Sequence, residues 1–325
     1  MPFIAFRVNN RQISMNLPKV SFVNNEEMDI VFLLYSSYPN SFTYHSKQKI
    51  PKELETLAQD YGQFAKKNGL YSPRDGLPKF HFLCASLVGS QGSVFPDVNE
   101  KYRKMVEPFH ALIANGKTLY SATKQMNDLG DFFSLWKTRY SSLENAQKIA
   151  RITFRFPEYS IFLLLSLSSK FGMPCMVHDK YIFVNAQEGQ EAFIVDATFH
   201  ELLHQLLLGS RCKAEGKFFV GHFLWQPRRA MIEEIVIPCL QMELCEDSER
   251  RKKERERVLH LDEHLPFLKP FRPLFPKILR DWEEKYMLHH NINLQTFIDK
   301  CTRQYLNPLK FMSWMHAQKP LLFLF

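Results

Sequence analysis

An apolar stretch at residues 191–208 carries two histidines four positions apart, His200 and His204, with Glu201 directly after the first. A glycine lies close to each end of the stretch, as expected at the limits of a helix. Because a helix turns about 100° per residue, side chains four apart lie on one face within about 6 Å. Most of the other positions are apolar and fall on one broad arc. The stretch therefore predicts a helix that packs into the core and brings together two imidazoles able to bind one metal ion.

The sequence His200-Glu201-Leu-Leu-His204 resembles the His-Glu-x-x-His motif of the zincin metallopeptidases. The neighbouring residues are uncharged, as that motif requires. The resemblance covers residues 193–208 and extends at most to a downstream glutamate. It implies a zincin-like core, with an active-site helix and a small sheet, in which His200 and His204 bind Zn²⁺. It also implies that Glu201 is the general base that takes a proton from the attacking water.

A third protein ligand is needed, because a catalytic zinc ion has three such ligands and an open fourth position. In the gluzincin branch of the family this ligand is a glutamate on a following helix. The next predicted helix, Arg229–Pro238, contains Glu233 and Glu234 in an apolar run. Arg229 lies four residues before Glu233 and can pair with it. The residue four before Glu234 is the small Ala230, which would let a second helix approach.

We therefore expect Glu234 as the third ligand, with Glu233 as a near alternative. The spacing from the two histidines is longer than the commonest gluzincin spacing. An exposed polar edge of an amphipathic helix would give the same pattern in this segment.

Other residues are kept as candidates around the predicted site. Asp196, four residues before His200, can accept a hydrogen bond from a ligand imidazole or complement the helix dipole. Glu215, His222 and Glu243 are further candidates for the third ligand, and His222 could instead stabilise an oxyanion.

A second pattern, His260-Leu-Asp-Glu263-His264, matches the inverted His-x-x-Glu-His motif of another metallopeptidase group. It follows a charged run, and Pro266 interrupts it two residues later, whereas a helix that carries metal ligands should continue into the core. We expect His260 and His264 to lie at a helix end, facing water or the last carbonyl groups.

The segment before the motif also suits a metal site. No lysine or arginine occurs between Tyr181 and Ser210, in a chain that contains 42 of them. A segment without positively charged side chains suits a site that holds a dication. Lys180–Asn185 is predicted to form a strand, and the zincin resemblance implies an edge strand at this place that aligns an extended substrate.

The patterning as a whole predicts a mainly helical α+β protein. Strands are predicted at 2–8, 29–35, 79–87 and 180–185, with a strand or extended segment at 217–224. Helices are predicted at 51–69, 99–115, 119–137, 158–170, 191–208 and 229–238. Alternating charges at 246–257 predict a solvated helix with ion pairs. The apolar end, Leu321–Phe325, is expected to pack against the body of the protein or a partner.

Three regions are predicted along the chain. Residues 1–140 form an N-terminal α+β region, and residues 141–265 form the zincin-like catalytic core. The prolines between 266 and 276 mark a connection, so residues 266–325 are expected to form a C-terminal helical lobe.

Composition limits the classes of partner and compartment. The net charge of +8 is spread along the chain without a nucleic-acid-binding motif, so it predicts only non-specific attraction to anions and no specific nucleic acid partner. The six cysteines have no paired spacing, which is typical of reduced thiols. The N-terminus lacks a signal peptide, and the longest apolar stretch, 159–167, is too short to span a membrane. We expect a soluble protein of the cytoplasm or another reducing compartment, with signal-independent export left open.

Two functions from different classes fit the sequence. The first is zinc-dependent hydrolysis of a peptide bond in a peptide or protein substrate. The alternative is a non-catalytic helical interaction protein whose motif is structural or degenerate. Binding of an anionic partner by the positive surface is a weaker third hypothesis.

Overall fold

The structure of the protein is a computed structural model that describes residues 17–23, 25–36, 52–71, 76–88, 102–119, 130–165, 175–178, 180–186, 191–207, 220–288 and 291–317. The strands are β1 (Lys19–Val23), β2 (Glu158–Leu165), β3 (Cys175–His178) and β4 (Tyr181–Ala186). The helices are α1 (Glu26–Ser36), α2 (Glu55–Asn68), α3 (Gly76–Leu87), α4 (Val106–Leu119), α5 (Phe132–Ser141), α6 (Leu143–Ala150), α7 (Glu191–His204), α8 (Val220–Glu243), α9 (Ser248–Leu259), α10 (Leu261–His264), α11 (Phe275–Asp281), α12 (Leu294–Tyr305) and α13 (Pro308–Ala317). The described part of the chain is therefore mainly helical with one small sheet, as the α+β prediction expects.

The sheet has the order β1-β2-β4-β3, in which β1, β2 and β4 are parallel and β3 is antiparallel to β4. The predicted strand at 180–185 is confirmed as β4. Its expected edge position is wrong, because β4 pairs with β2 on one side and with β3 on the other. Ile182, Phe183 and Val184 are all buried, as in a central strand covered on both faces. Among the described strands, β3 forms the edge on this side, and it contacts α7.

Hydrophobic cores cover both faces of the sheet. Ile161 and Leu163 of β2 lie in a larger core that includes α7 and α8. Phe162 and Leu164 lie in a second core that includes α1, α2, α3 and α4. The predicted helix at 158–170 is therefore wrong for residues 158–165. A short apolar run that is buried on both sides has no periodicity that separates strand from helix, and pairing with β1 and β4 decides the outcome.

Two further predicted strands are helices. Residues 29–35 belong to α1, which begins with acidic residues in its first turn and with Asn25 Oδ1 accepting a hydrogen bond from the backbone N–H of Met28 at 3.0 Å. Residues 79–87 belong to α3. There Phe80, Leu83 and Cys84 are buried at helical spacing, which outweighs the apparent alternation along the sequence.

The helices predicted at 51–69 and 99–115 are confirmed in the main. The first is a 3₁₀ turn at Lys52–Leu54 followed by α2, which ends at Gly69 with a positive φ of 62°. The second is a 3₁₀ turn at Arg103–Met105 followed by α4. It extends beyond the predicted end at residue 115 and continues through Gly116 to Leu119. A Cβ atom there would lie 2.8 Å from Leu57 and 2.9 Å from Ile30, so this glycine allows close packing of α4 on α1 and α2.

The long helix α8 lies at the centre of the larger core and contacts α6, α7, α9, α11, α12 and α13. It includes the predicted helix at 229–238. The strand or extended segment predicted at 217–224 is wrong for residues 220–224, which are helical, while 217–219 lie outside the described residues. Residues 220–243 thus form one continuous helix.

The remaining segments agree in part with expectation. The charged run forms α9, and Asp247 caps it by accepting hydrogen bonds from two backbone N–H groups. The proline-rich connection is a 3₁₀ helix at Pro266–Leu274. Of the predicted helix at 119–137, residues 120–129 lie outside the description and α5 covers the rest from 132. The predictions at 2–8 and 321–325 also lie outside it.

Two expectations about the environment concern cysteines and membranes. Cys84, Cys239, Cys245 and Cys301 have free thiols, as predicted. None of the helices in the described ranges combines the length and the apolar character needed to cross a bilayer.

Candidate metal centre

The helix α7 presents the motif at the border of the larger core. It packs against β4, α5 and α8. Its apolar side chains are buried, including Phe199, Leu202 and Leu203, whereas His200 and Glu201 are half-buried and His204 is buried. The helix predicted at 191–208 is thus confirmed, except that it ends at His204 and is followed by turns at 205–207.

The helix α8 brings the predicted third ligand to the two histidines. Glu234 Oε2 lies 3.5 Å from His200 Nε2, and Glu234 Oε1 lies 3.6 Å from His204 Nε2. The two Nε2 atoms are 3.0 Å apart. His200, His204 and Glu234 are, among the described residues, the one group of three side chains that offers ligand atoms within 4.8 Å of one another.

These separations fit a zinc ion. A tetrahedral site with bonds of about 2.0–2.1 Å places its ligand atoms about 3.3 Å from one another. The two Nε2 atoms, 3.0 Å apart, lie near that value, and they are 3.5 Å and 3.6 Å from different oxygens of the Glu234 carboxylate. Two imidazoles and one carboxylate are also a ligand set that catalytic zinc sites use.

The other nitrogen of each imidazole is held by α8 as well. Nδ1 of His200 lies 3.2 Å from Gln241 Oε1, and Nδ1 of His204 lies 3.7 Å from Glu233 Oε2. Partners of this kind fix the tautomer and the ring orientation of a metal-binding histidine. Both rings therefore turn Nε2 toward Glu234.

Asp196 was a candidate partner for a ligand imidazole, and this is wrong. Its carboxylate accepts a hydrogen bond of 2.9 Å from Arg139 Nε on α5, and Arg250 lies 4.0 Å away. Both arginines carry a positive charge, so they bind the Asp196 carboxylate more strongly than a neutral imidazole would. Gln241 instead makes the hydrogen bond to His200.

The predicted pairing of Arg229 with Glu233 is confirmed. Arg229 Nη1 lies 2.5 Å from Glu233 Oε1, and both residues are buried. Arg229 Nε also donates to Asp299 Oδ1 on α12 at 3.0 Å. Glu233 is thus compensated by an arginine, which leaves Glu234 as the carboxylate that faces both Nε2 atoms.

The histidines and the carboxylates of the cluster shift one another's pKa values. Burial alone would lower the pKa of His204, but the carboxylates of Glu234, Glu233 and Glu201 outweigh burial and raise that pKa. Burial alone would raise the pKa of Glu234, but His204 and His200 outweigh it and lower that pKa. Glu201 therefore lies close enough to act on His204 electrostatically, beside the three candidate ligands.

The other candidates are not brought to this cluster. Glu243 is bound by Arg251 Nη2 at 2.5 Å and by Trp282 Nε1 at 3.3 Å. Glu215 and the side chain of His222 lie outside the described residues. In the inverted pattern, His260 is partly exposed, with Nδ1 3.3 Å from Glu263 Oε1, as expected for a helix end, while the side chain of His264 lies outside the description.

Sequence reasoning missed Gln241 and Asp299. Gln241 follows Glu234 by seven residues, or two helical turns, so its place on the same face of α8 could have been found from spacing. Asp299 reaches Arg229 across 70 residues, and no local signal indicates that contact.

Comparison with models of protein families, with curated proteins and with solved structures gives no match.

Proposed function

We propose that this protein is a zinc-dependent peptidase in which His200, His204 and Glu234 bind the ion. The observation that carries the proposal is the meeting of two Nε2 atoms, 3.0 Å apart, with the carboxylate of Glu234, whose two oxygens lie 3.5 Å and 3.6 Å from them. Its dimensions and its chemistry suit tetrahedral zinc. When bound, zinc would activate a water molecule and polarise the scissile carbonyl group.

Side chains of the protein would transfer the proton and orient the ligands. Glu201 is the proposed general base, because it follows His200 on α7 and its charge acts on the same centre. A carboxylate in this position can take the proton of the attacking water and pass it to the leaving amine. Gln241 and Glu233 hold the two imidazoles so that Nε2 points to the ion.

The surrounding fold is compatible with a zincin-like core. A small sheet precedes α7, and the following helix α8 carries the glutamate, as the resemblance implies. Within the described residues β3 is paired on one side only, by β4. An extended peptide could therefore add to the outer side of β3 by main-chain hydrogen bonds.

One observation favours the alternative, a helical interaction protein with a structural polar cluster. The 3.0 Å contact between His200 and His204, together with the ion-pair contacts of Glu234, can satisfy these side chains without a metal ion. Such a cluster would stabilise the packing of α7 on α8 without chemistry.

Metal analysis and a cleavage assay on the full chain separate the two functions. The peptidase proposal expects about one equivalent of Zn²⁺ per chain, and cleavage of an unfolded protein substrate that stops when a chelator removes the ion. Protein that takes up no zinc from solution, or that binds zinc but cleaves no member of a peptide library, would favour the interaction protein.

A further inference from the structure

A series of charged side chains, buried at Glu233 and Arg229 and partly exposed at Asp299, leads from the candidate metal centre to α12. Glu233 has no exposed surface and Arg229 is 3% exposed. Arg229 contacts Glu233 through Nη1 at 2.5 Å and Asp299 through Nε at 3.0 Å. The planar guanidinium group is therefore held between two carboxylates, one on its own helix and one on a neighbouring helix.

Each contact restrains the next one. A fully buried carboxylate needs a positive partner, so Glu233 must follow the position of Arg229. Arginine presents its donors in a rigid fork, so the carboxylate of Asp299 at Nε also sets the direction of Nη1. The position of Glu233 thus depends on α12 as well as on its own helix.

The last member of this series, Glu233, contacts the imidazole of a candidate ligand. Glu233 Oε2 lies 3.7 Å from Nδ1 of His204, on the side of the ring opposite Nε2. A carboxylate at this place selects the tautomer that carries hydrogen on Nδ1 and fixes the plane of the ring. A shift of Glu233 would therefore turn Nε2 of His204 away from Glu234.

We propose that Asp299, Arg229 and Glu233 are positioning residues that hold the imidazole of His204 in the orientation required to bind zinc. This inference rests on the proposed zinc site. It gives α12 a part in setting the affinity for zinc. The residue of α12 that takes part is Asp299, and the side chains of Arg229 and Glu233 lie between it and His204. An ordinary ion-pair network of the core would have the same contacts but no effect on the metal beyond that of general destabilisation.

Asp299→Asn, made in the full-length protein, tests the member of the series that lies farthest from His204. Zinc affinity, measured by competition with a chromophoric chelator, should fall about tenfold, and Glu233→Gln should lower it about 10–100-fold. The visible absorption bands of Co²⁺-substituted protein should shift in both variants, because they report ligand geometry. Asp299→Glu, which keeps the charge, should recover part of the affinity.

Asp281→Asn is the matched control. Asp281 is also buried, and it binds Lys285 and the hydroxyl group of Tyr305 on α12 without contact to Arg229. It should lower the unfolding midpoint while leaving zinc affinity and the Co²⁺ bands unchanged. In the double variant Glu233→Gln/Asp299→Asn, the loss of affinity should equal that of Glu233→Gln alone, because Asp299 acts only through Glu233.

The outcomes are distinguishable. Wild-type protein that binds no zinc would overturn the proposed function and this inference together. If the wild type binds zinc and Asp299→Asn matches it in affinity and Co²⁺ spectrum, or if Asp281→Asn weakens zinc binding equally, only the positioning role is overturned. Should Asp299→Asn not fold, Glu233→Gln takes its place, and zinc affinity and Co²⁺ bands identical to those of the wild type would overturn the role.

Discussion

Gln241 Oε1 lies 3.2 Å from Nδ1 of His200, on the same helix that supplies Glu234. The amide oxygen accepts the hydrogen of Nδ1, which leaves the lone pair of Nε2 directed to the centre of the cluster. On His204, Nδ1 faces a charged group instead, Glu233 Oε2 at 3.7 Å. One helix, α8, therefore supplies the third candidate ligand and orients both histidines, so the site depends on the contact between α7 and α8.

Replacing either histidine by alanine should remove the metal. His200→Ala and His204→Ala should each lose the roughly one equivalent of Zn²⁺ expected for the wild type, because two remaining ligands bind the ion weakly. Elemental analysis of purified protein measures this. His260→Ala is the control, since His260 lies at a helix end beside Glu263. Zinc lost in the control and kept in the other two variants would place the site at the inverted motif.

The two adjacent glutamates should differ in their effects. Glu234→Gln should weaken zinc binding by more than about 100-fold, because it removes a ligand, whereas Glu233→Gln should weaken it about 10–100-fold, because it removes a positioning group. Competition titrations on the two variants compare them directly. The reverse order would make Glu233 the ligand.

Glu201→Gln should separate catalysis from metal binding. The variant should keep zinc and its fold but lose at least about 100-fold in the rate of hydrolysis of an unfolded protein substrate, the scale expected for loss of a general base. Glu191→Gln, at the start of the same helix, is the control and should cleave like the wild type. Equal cleavage by Glu201→Gln and wild type would exclude Glu201 as the base.

Gly116→Ala should destabilise the protein although alanine favours helices. The new Cβ atom would lie 2.8 Å from Leu57 and 2.9 Å from Ile30, and overpacking of this kind costs about 1–3 kcal/mol against a helix gain of about 1 kcal/mol. Chemical denaturation should show a net loss of up to about 2 kcal/mol. Gly130→Ala, where no atom lies within 4 Å of the new Cβ, should be neutral. A Gly116→Ala variant as stable as the wild type would show that α4 can shift without cost.

The spacing of residues along the sequence correctly predicted those contacts that the geometry of a single helix determines. The four-residue spacing of His200 and His204 predicted their place on one face, and the pairing of Arg229 with Glu233 followed from the same spacing. That pairing left Glu234 to face the histidines, where the structure has it. These contacts lie within a helix or between two helices that the sequence delimits.

Contacts between distant segments could not be predicted in this way. Asp196 binds Arg139, which lies 57 residues earlier, so its partner depended on the packing of α5 against α7. The runs in α1 and β2 are both short and apolar, yet one is a helix and the other a strand. A strand exists only with its neighbours, and the pairing of β2 with β1 and β4 cannot be derived from β2 alone.

The alternation of β2 between the two cores fixes the register of the sheet from both sides. A slip of one residue would turn Phe162 and Leu164 toward α7, and Ile161 and Leu163 toward α1, so both layers would lose their fit at once. Strand β4, which precedes α7, takes its register from β2. The N-terminal helices pack on β2, and they thereby help to set the position of α7 along the sheet. The positions of His200 and His204 depend on α7 in turn.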